Sequence, residues 1–405
     1  MLPPGRSPGR AQDRADPGTR PRMRDPRLDF FRGLTMFIIL IAHVPNNWLA
    51  LWIPARFGFS DATEVFVFCS GMASAIAFGS VFRDRGLLMG TLRVGYRVWQ
   101  VYWAHIGLFL AVAAAMVALD VSLLFERGYT AQLNLIRFFN NAAPNLVGLL
   151  TLTYVPNYFD ILPMYLVILA MMPVMIALAR VNRWLAFGAV SIVWLGANVG
   201  GWALPAEPWS NREWFFNPFG WQLVFFTGFA LMSGWLPAPP VKRWIVAVAA
   251  LIVLFTIPLA YFRITGAVPA IRAWRSDWGF LIQKTDFGIL RYIHFLALAY
   301  LAWVAVGPNG RRLIAPETGG VLARIWRRLL AVIMKVGQQS LAVFVVSMFL
   351  AQLLGVVLDV LGRSNGSMLL INLIGFSLIT AAAYGAGWFK SQPWRTKGAH
   401  PDAAA

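Results

Sequence analysis

Arg32 and His43 stand eleven residues apart in RLDFFRGLTMFIILIAHVPNNW, Arg27 to Trp48, an apolar stretch with a charged entry and a histidine near its far end. If the stretch is helical, steps of about 100° bring the two side chains within roughly 20° of one face. A rise of about 1.5 Å per residue sets them roughly 16 Å apart, and Arg32 at one interface of a bilayer puts His43 past its middle. Pro45 cannot donate to the carbonyl of Ile41, so the helix is expected to loosen beside the imidazole. In a soluble core such a histidine is commonly packed and satisfied by a backbone carbonyl. Within a membrane, ionisable groups are costly and line cavities or pathways, so His43 is read as a functional base.

Composition places this base in lipid. Of 405 residues 59% are hydrophobic and only 13% charged, with 18 Trp and 30 Phe, and apolar runs near twenty residues recur along the chain. The fold class is therefore all-α, a polytopic integral membrane protein. The net charge of +18 does not point to nucleic acid, because the basic residues lie in short segments between apolar runs, where they set topology. Cys69 is the sole cysteine, which excludes an intramolecular disulfide, and no metal site is expected.

About ten transmembrane helices are expected, at about 28–53, 60–82, 97–119, 160–179, 184–204, 220–236, 243–262, 290–306, 336–361 and 368–389. Residues 1–24, with six arginines among Pro, Gly, Asp and Ala, read as a disordered basic cytoplasmic tail, with Met23 a second candidate start. One transmembrane domain over 25–390 follows, then a cytoplasmic tail over 391–405. Segment 120–158 is expected to hold a re-entrant or interfacial helix. The larger share of the 35 Lys and Arg falls on the side of the N-terminus, which predicts an N-in/C-in arrangement with aromatic loops outside.

The spacing Arg32…His43, then EVFVFCSG (64–71) within FGFSDATEVFVFCSG, then RVGYRVWQVYW (93–103), resembles the acyltransferase-three superfamily of integral-membrane O-acyltransferases. Within it the chain resembles the OpgC family, associated with succinylation of osmoregulated periplasmic glucans. FDILPMYL (159–166), WFFNPFGWQLVFFTG (214–228), KTDFG (284–288), RYIHFLALAYL (291–301) and GQQSL (337–341) extend the likeness in order. The last helix lies outside it, and where some members of the superfamily have a histidine after GQQSLAVFVVS this chain has Ser347 nearby instead.

What the resemblance implies is transfer of an acyl group from cytoplasmic acyl-CoA to a periplasmic hydroxyl, in a bacterial inner (cytoplasmic) membrane. A sugar hydroxyl is a poor nucleophile until a base takes its proton, a role assigned to His43, with Glu64 as the carboxylate that orients it. The other reading of Glu64 is complement to a helix dipole. Arg32, Arg93 and Arg97 are expected to grip the CoA phosphates, with Tyr102 beside them, although positive-inside topology explains the same arginines without a ligand. Asp160, Arg291 and His294, which lies three residues after Arg291, are expected to line the acceptor or acyl pocket. Arg56, Lys284 and Arg291 are the cations that a succinyl carboxylate would need. His105 is read as structural.

No cofactor is expected to stay bound; acyl-CoA, as succinyl-CoA, is a donor substrate. The expected partners are acyl-CoA, a periplasmic glucan or other envelope polysaccharide, the lipid bilayer and glucan-synthesis proteins. Two alternatives stay open: an O-acetyltransferase of another envelope polysaccharide, which needs no outer cations, and a sugar or lipid transporter. Against the transporter, residues 205–405 hold no second copy of the Arg32…His43 pattern.

Overall fold

The structure, a computed structural model, describes residues 25–122, 128–314 and 319–395, so the readings of 1–24 and of the last ten residues lie outside the described part. Asp25 opens helix α1 (Pro26–His43) by accepting from the Arg27 amide at 3.0 Å, and Pro26 occupies the first turn, where no amide is needed. The helix stops at His43, well short of the expected end near Ile53. Pro45 forces Val44 into an extended conformation, and the chain turns away through a short 3-10 turn, Trp48–Leu51. His43 is thus the last residue of its helix, not a group in mid-helix.

Helix α2 (Ala62–Val121) begins with a capping box, in which the Asp61 side chain accepts from the Thr63 amide at 2.6 Å and the Asp61 amide donates to Glu64 at 2.7 Å. It runs through the expected loop 83–97 and is broken only at Gly86, whose φ of 83° suits a residue without Cβ. The helices that follow are α3 (Ile161–Val181), α4 (Arg183–Asn198), α5 (Pro218–Ser233), α6 (Arg243–Ala260), α7 (Ile289–Val306), α8 (Val321–Gln338), α9 (Ser340–Leu361) and α10 (Asn365–Ser391). Segment 120–158 carries the short helices Tyr129–Gln132, Ile136–Asn140 and Ala142–Thr151, and 263–289 carries most of Phe262–Ala267 and all of Pro269–Asp277. The basic stretch 311–335, expected as a loop, holds most of α8. Among the described residues there is no strand, only the single bridge Pro205 to Glu213.

Six helices, α2, α3, α6, α7, α9 and α10, are long and apolar enough to cross a membrane. Their outward faces fit lipid: Leu88, Val174, Leu251, Phe255 and Val360 are all exposed. The common core joins α1, α2, α3, α5 and α9 around Met36, Leu40, Phe109, Trp221, Phe225 and Phe344, while α6 and α7 share a satellite cluster through Ala249, Ala297 and Tyr300. At one end α8 crosses α1 so closely that a Cβ on Gly33 would strike the Ile333 carbonyl, and one on Gly337 the Asp29 carbonyl.

The helices define two ends. At the His43 end, Arg363 donates to the Pro45 carbonyl at 2.7 Å and Asn47 donates to Asn372 at 2.9 Å, which ties the exit of α1 to the end of α9 and the start of α10. At the Arg32 end, Arg32 donates to the hydroxyl of Ser340, the first residue of α9, Arg180 donates to the Phe82 carbonyl, and Lys390 donates to Gln339 at 2.6 Å.

Candidate active site

At the last residue of α1 the imidazole folds back on its own helix: Nδ1 lies 2.7 Å from the Ile39 carbonyl. A carbonyl only accepts, so Nδ1 carries the proton, and in the neutral ring Nε2 keeps a bare lone pair. The half-buried ring meets Tyr158 edge-on at 5.5 Å between centroids. Tyr158 has a φ of 87°, a conformation bulky residues rarely adopt, and its hydroxyl donates to the Met348 carbonyl of α9 at 2.5 Å. The tyrosine is pinned at both backbone and tip, and it walls the imidazole.

Two ion pairs join the start of α2 to the start of α7 and the segment before it. Lys284 Nζ sits 2.5 Å from Asp61 Oδ2, and Arg291 Nη1 sits 2.7 Å from Glu64 Oε1, with Glu64 wholly buried. Burial alone would raise the Asp61 carboxyl, but the Lys284 charge and hydrogen bonds from Lys284 and the Thr63 amide outweigh it and hold the group well below the usual carboxylate range. Both charges of the Lys284–Asp61 pair act on the His43 ring. One turn beyond Arg291, the Nδ1 of His294 accepts from the Ser60 amide at 3.2 Å and meets the Ser60 hydroxyl at 2.7 Å. Its proton therefore sits on Nε2, the opposite tautomer to that of His43.

At the Arg32 end, a cavity of about 210 Å³ is lined by Arg32, Arg93 and Arg97 together with Ser70, Ser74 and Gln100. The break at Gly86 makes this possible by folding the second arm of α2 back beside the first, and no carboxylate is among the lining residues. Three guanidinium groups facing one space can take an anion of several charges.

Glu64 does not orient His43: its two oxygens take Arg291 and the Asp61 amide, and the His43 Nδ1 is held by the backbone. Glu64 instead closes the capping box of α2 and pairs with Arg291 in a buried ion pair. Tyr102 is not with the arginines; its hydroxyl donates to the Leu150 carbonyl at 2.7 Å, and it lines a separate apolar cavity with Trp99 and Leu166. Arg56 is exposed and donates to the Ala50 carbonyl at 3.1 Å, apart from the ion pairs. Asp160 is buried, accepts from the Phe215 amide at 3.3 Å and feels Arg212, not Arg291 or His294. His105 is buried with no partner for either ring nitrogen among the described residues. Sequence reasoning passed over Tyr158, Ser60 and Ser340; only Tyr158, in the turn VPNYFD before α3, carried a signal, an aromatic within a Pro-Asn turn.

A helical membrane protein with a lone-pair imidazole beside paired charges at one end and an arginine-lined cavity at the other has the layout of a membrane-embedded group-transfer enzyme. The profile of the OpgC protein family matches residues 24–391, most of the chain, and the protein belongs to that family. Membership makes it a glucan-modifying acyltransferase. Searches of curated proteins and of solved structures return no match.

Proposed function

We propose that the protein moves a succinyl group from cytoplasmic succinyl-CoA to a hydroxyl of a periplasmic glucan, crossing the inner membrane about ten times with both termini inside. Counting the arms of α2 on either side of Gly86 separately, and adding α1, α4 and α5 to the long apolar helices, gives those crossings. The Arg32 end then faces the cytoplasm and the His43 end the periplasm, in line with the distribution of basic residues.

The observation that carries the proposal is the hydrogen bond from His43 Nδ1 to the Ile39 carbonyl, which leaves Nε2 as an acceptor at the outer end of α1. The acceptor hydroxyl gives its proton to Nε2 as its oxygen attacks the thioester carbonyl. The tetrahedral intermediate collapses, the C–S bond breaks, and the thiolate of CoA takes the proton back from the imidazolium. Ester and free CoA leave, and His43 returns to its starting tautomer. The ionised Asp61 favours the imidazolium while it exists, and the Lys284 charge, the stronger of the two on the ring, favours return of the proton. Tyr158 holds the ring against rotation. Arg32, Arg93 and Arg97 grip the phosphates of CoA, and the roughly 16 Å along α1 is spanned by the extended arm that ends in the thioester.

A second reading is favoured by one observation. Lys284 and Arg291 already face Asp61 and Glu64, so neither stands as a lone cation for a succinyl carboxylate, and an uncharged acetyl group needs none. Anion-exchange profiling of periplasmic glucans tests both. Cells lacking the protein, complemented by wild type, regain anionic glucan if succinyl is transferred; His43→Ala at matched expression does not restore it. Full restoration by His43→Ala removes the base from the mechanism, and glucan that stays neutral yet gains acetyl esters selects the second reading.

A further inference from the structure

Helix α8 docks on α1 only through its C-terminal half. Leu330, Val336 and Gly337 are buried there, whereas no residue from Val321 to Leu329 is. At about 100° per residue, Leu322, Ile325, Trp326 and Leu329 continue the same apolar stripe that packs on α1, and Arg324, Arg327 and Arg328 occupy the opposite half. The stripe therefore runs on past its covered part into open space, with Leu322 82% exposed. The three arginines are exposed, none is in an ion pair among the described residues, and no acid lies on the helix.

We infer that the first half of α8 is an anchor for anionic lipid: it lies in the bilayer interface with Leu322, Ile325, Trp326 and Leu329 at the acyl boundary and the three arginines on anionic headgroups. Charge complementarity selects this occupant, since an amphipathic face with only cations on its polar side matches a negative leaflet. The same helix ends two residues before Ser340, the first residue of α9, whose hydroxyl Arg32 holds, so the anchor leads directly to the arginine cavity. The inference does not depend on which acyl group is transferred.

The test uses full-length protein in nanodiscs of phosphatidylglycerol or of phosphatidylcholine. Cys69 is buried and is left in place, so a cysteine introduced as Leu322→Cys or Arg324→Cys takes the spin label. In phosphatidylglycerol the label at 322 is expected to collide with oxygen and the label at 324 with a water-soluble nickel chelate. Each of Arg327→Gln and Arg328→Gln is expected to weaken the phosphatidylglycerol preference about fivefold. Equal nickel contact at 322 and 324 in phosphatidylglycerol overturns the inference. So does immersion that is the same in both lipids, or spin–spin broadening at 322 that vanishes on dilution with unlabelled protein, which assigns the face to a second copy.

Discussion

The two ends of α1 treat charge in opposite ways. Arg32 of α1 and Arg93 and Arg97 from the second arm of α2 face a cavity with no carboxylate in its lining. Around His43, Lys284 and Arg291 each meet an acid at 2.5 and 2.7 Å. A surplus of positive charge costs self-repulsion and is tolerable only where an anion arrives to relieve it. A neutralised cluster holds its geometry without a ligand, and it leaves a neutral imidazole beside it free to take and return a proton. On the mechanism proposed above, one end binds and the other stays fixed while chemistry happens.

The sharpest way to break this contrast is to unbalance the fixed end. Arg291→Gln strands the Glu64 carboxylate, which is wholly buried, and is expected to destabilise the protein by about 3–5 kcal/mol. The double variant Glu64→Gln with Arg291→Gln is expected to recover most of that loss, because no buried charge is then left alone. Thermal unfolding in one detergent compares the three proteins. If Arg291→Gln costs no more than about 1 kcal/mol, the pair behaves as a solvated one and the two ends do not differ as described.

The binding end is expected to respond in kinetics, not in stability. Arg97→Gln is expected to raise the KM for acyl-CoA about tenfold with kcat little changed, and Arg93→Gln to do the same to a smaller degree because it is more exposed. Higher salt is expected to shrink both effects. Lys284→Gln, at the other end, is expected to leave the KM for acyl-CoA unchanged. A rise in that KM with Lys284→Gln would merge the two ends into one donor site.

Much of this contrast was legible in the chain. The spacing of Arg32 and His43 and their common face follow from helical periodicity, and Arg93 and Arg97 were expected beside Arg32 from their charge at the same end. What escaped came from partners far away in sequence. Glu64 read as an orienter because its depth matched that of His43, but Arg291, 227 residues further on, claims it. Tyr102 read as a neighbour of the arginines although it projects from another side of the same helix. Pro45 was expected to loosen α1, whereas in a segment followed by two asparagines and a 3-10 turn it ends the helix outright. The continuity of α2 was hidden because arginines at 83–97 read as loop punctuation, while its only break is one glycine.

Asp160 offers the smallest and most specific test of the fixed end. It lies two residues after Tyr158, and burial pushes its carboxyl from an ordinary 3.8 up to about 7, against the pull of the Phe215 amide and the Arg212 charge. A carboxyl raised on folding is more easily ionised in the unfolded chain. Its contribution to stability is therefore complete below about 3.8 and is lost as pH rises through about 7. Wild type is expected to lose unfolding temperature as pH rises from about 4 to about 7 and to level off above that, and Asp160→Asn to lose less, because the amide has no proton to give up. The Asn side chain still accepts from the Phe215 amide, so the comparison isolates the charge. Parallel curves for the two proteins would mean that Asp160 is solvated or paired through Arg212, and that the turn carrying Tyr158 is held by the Met348 hydrogen bond and ring packing alone.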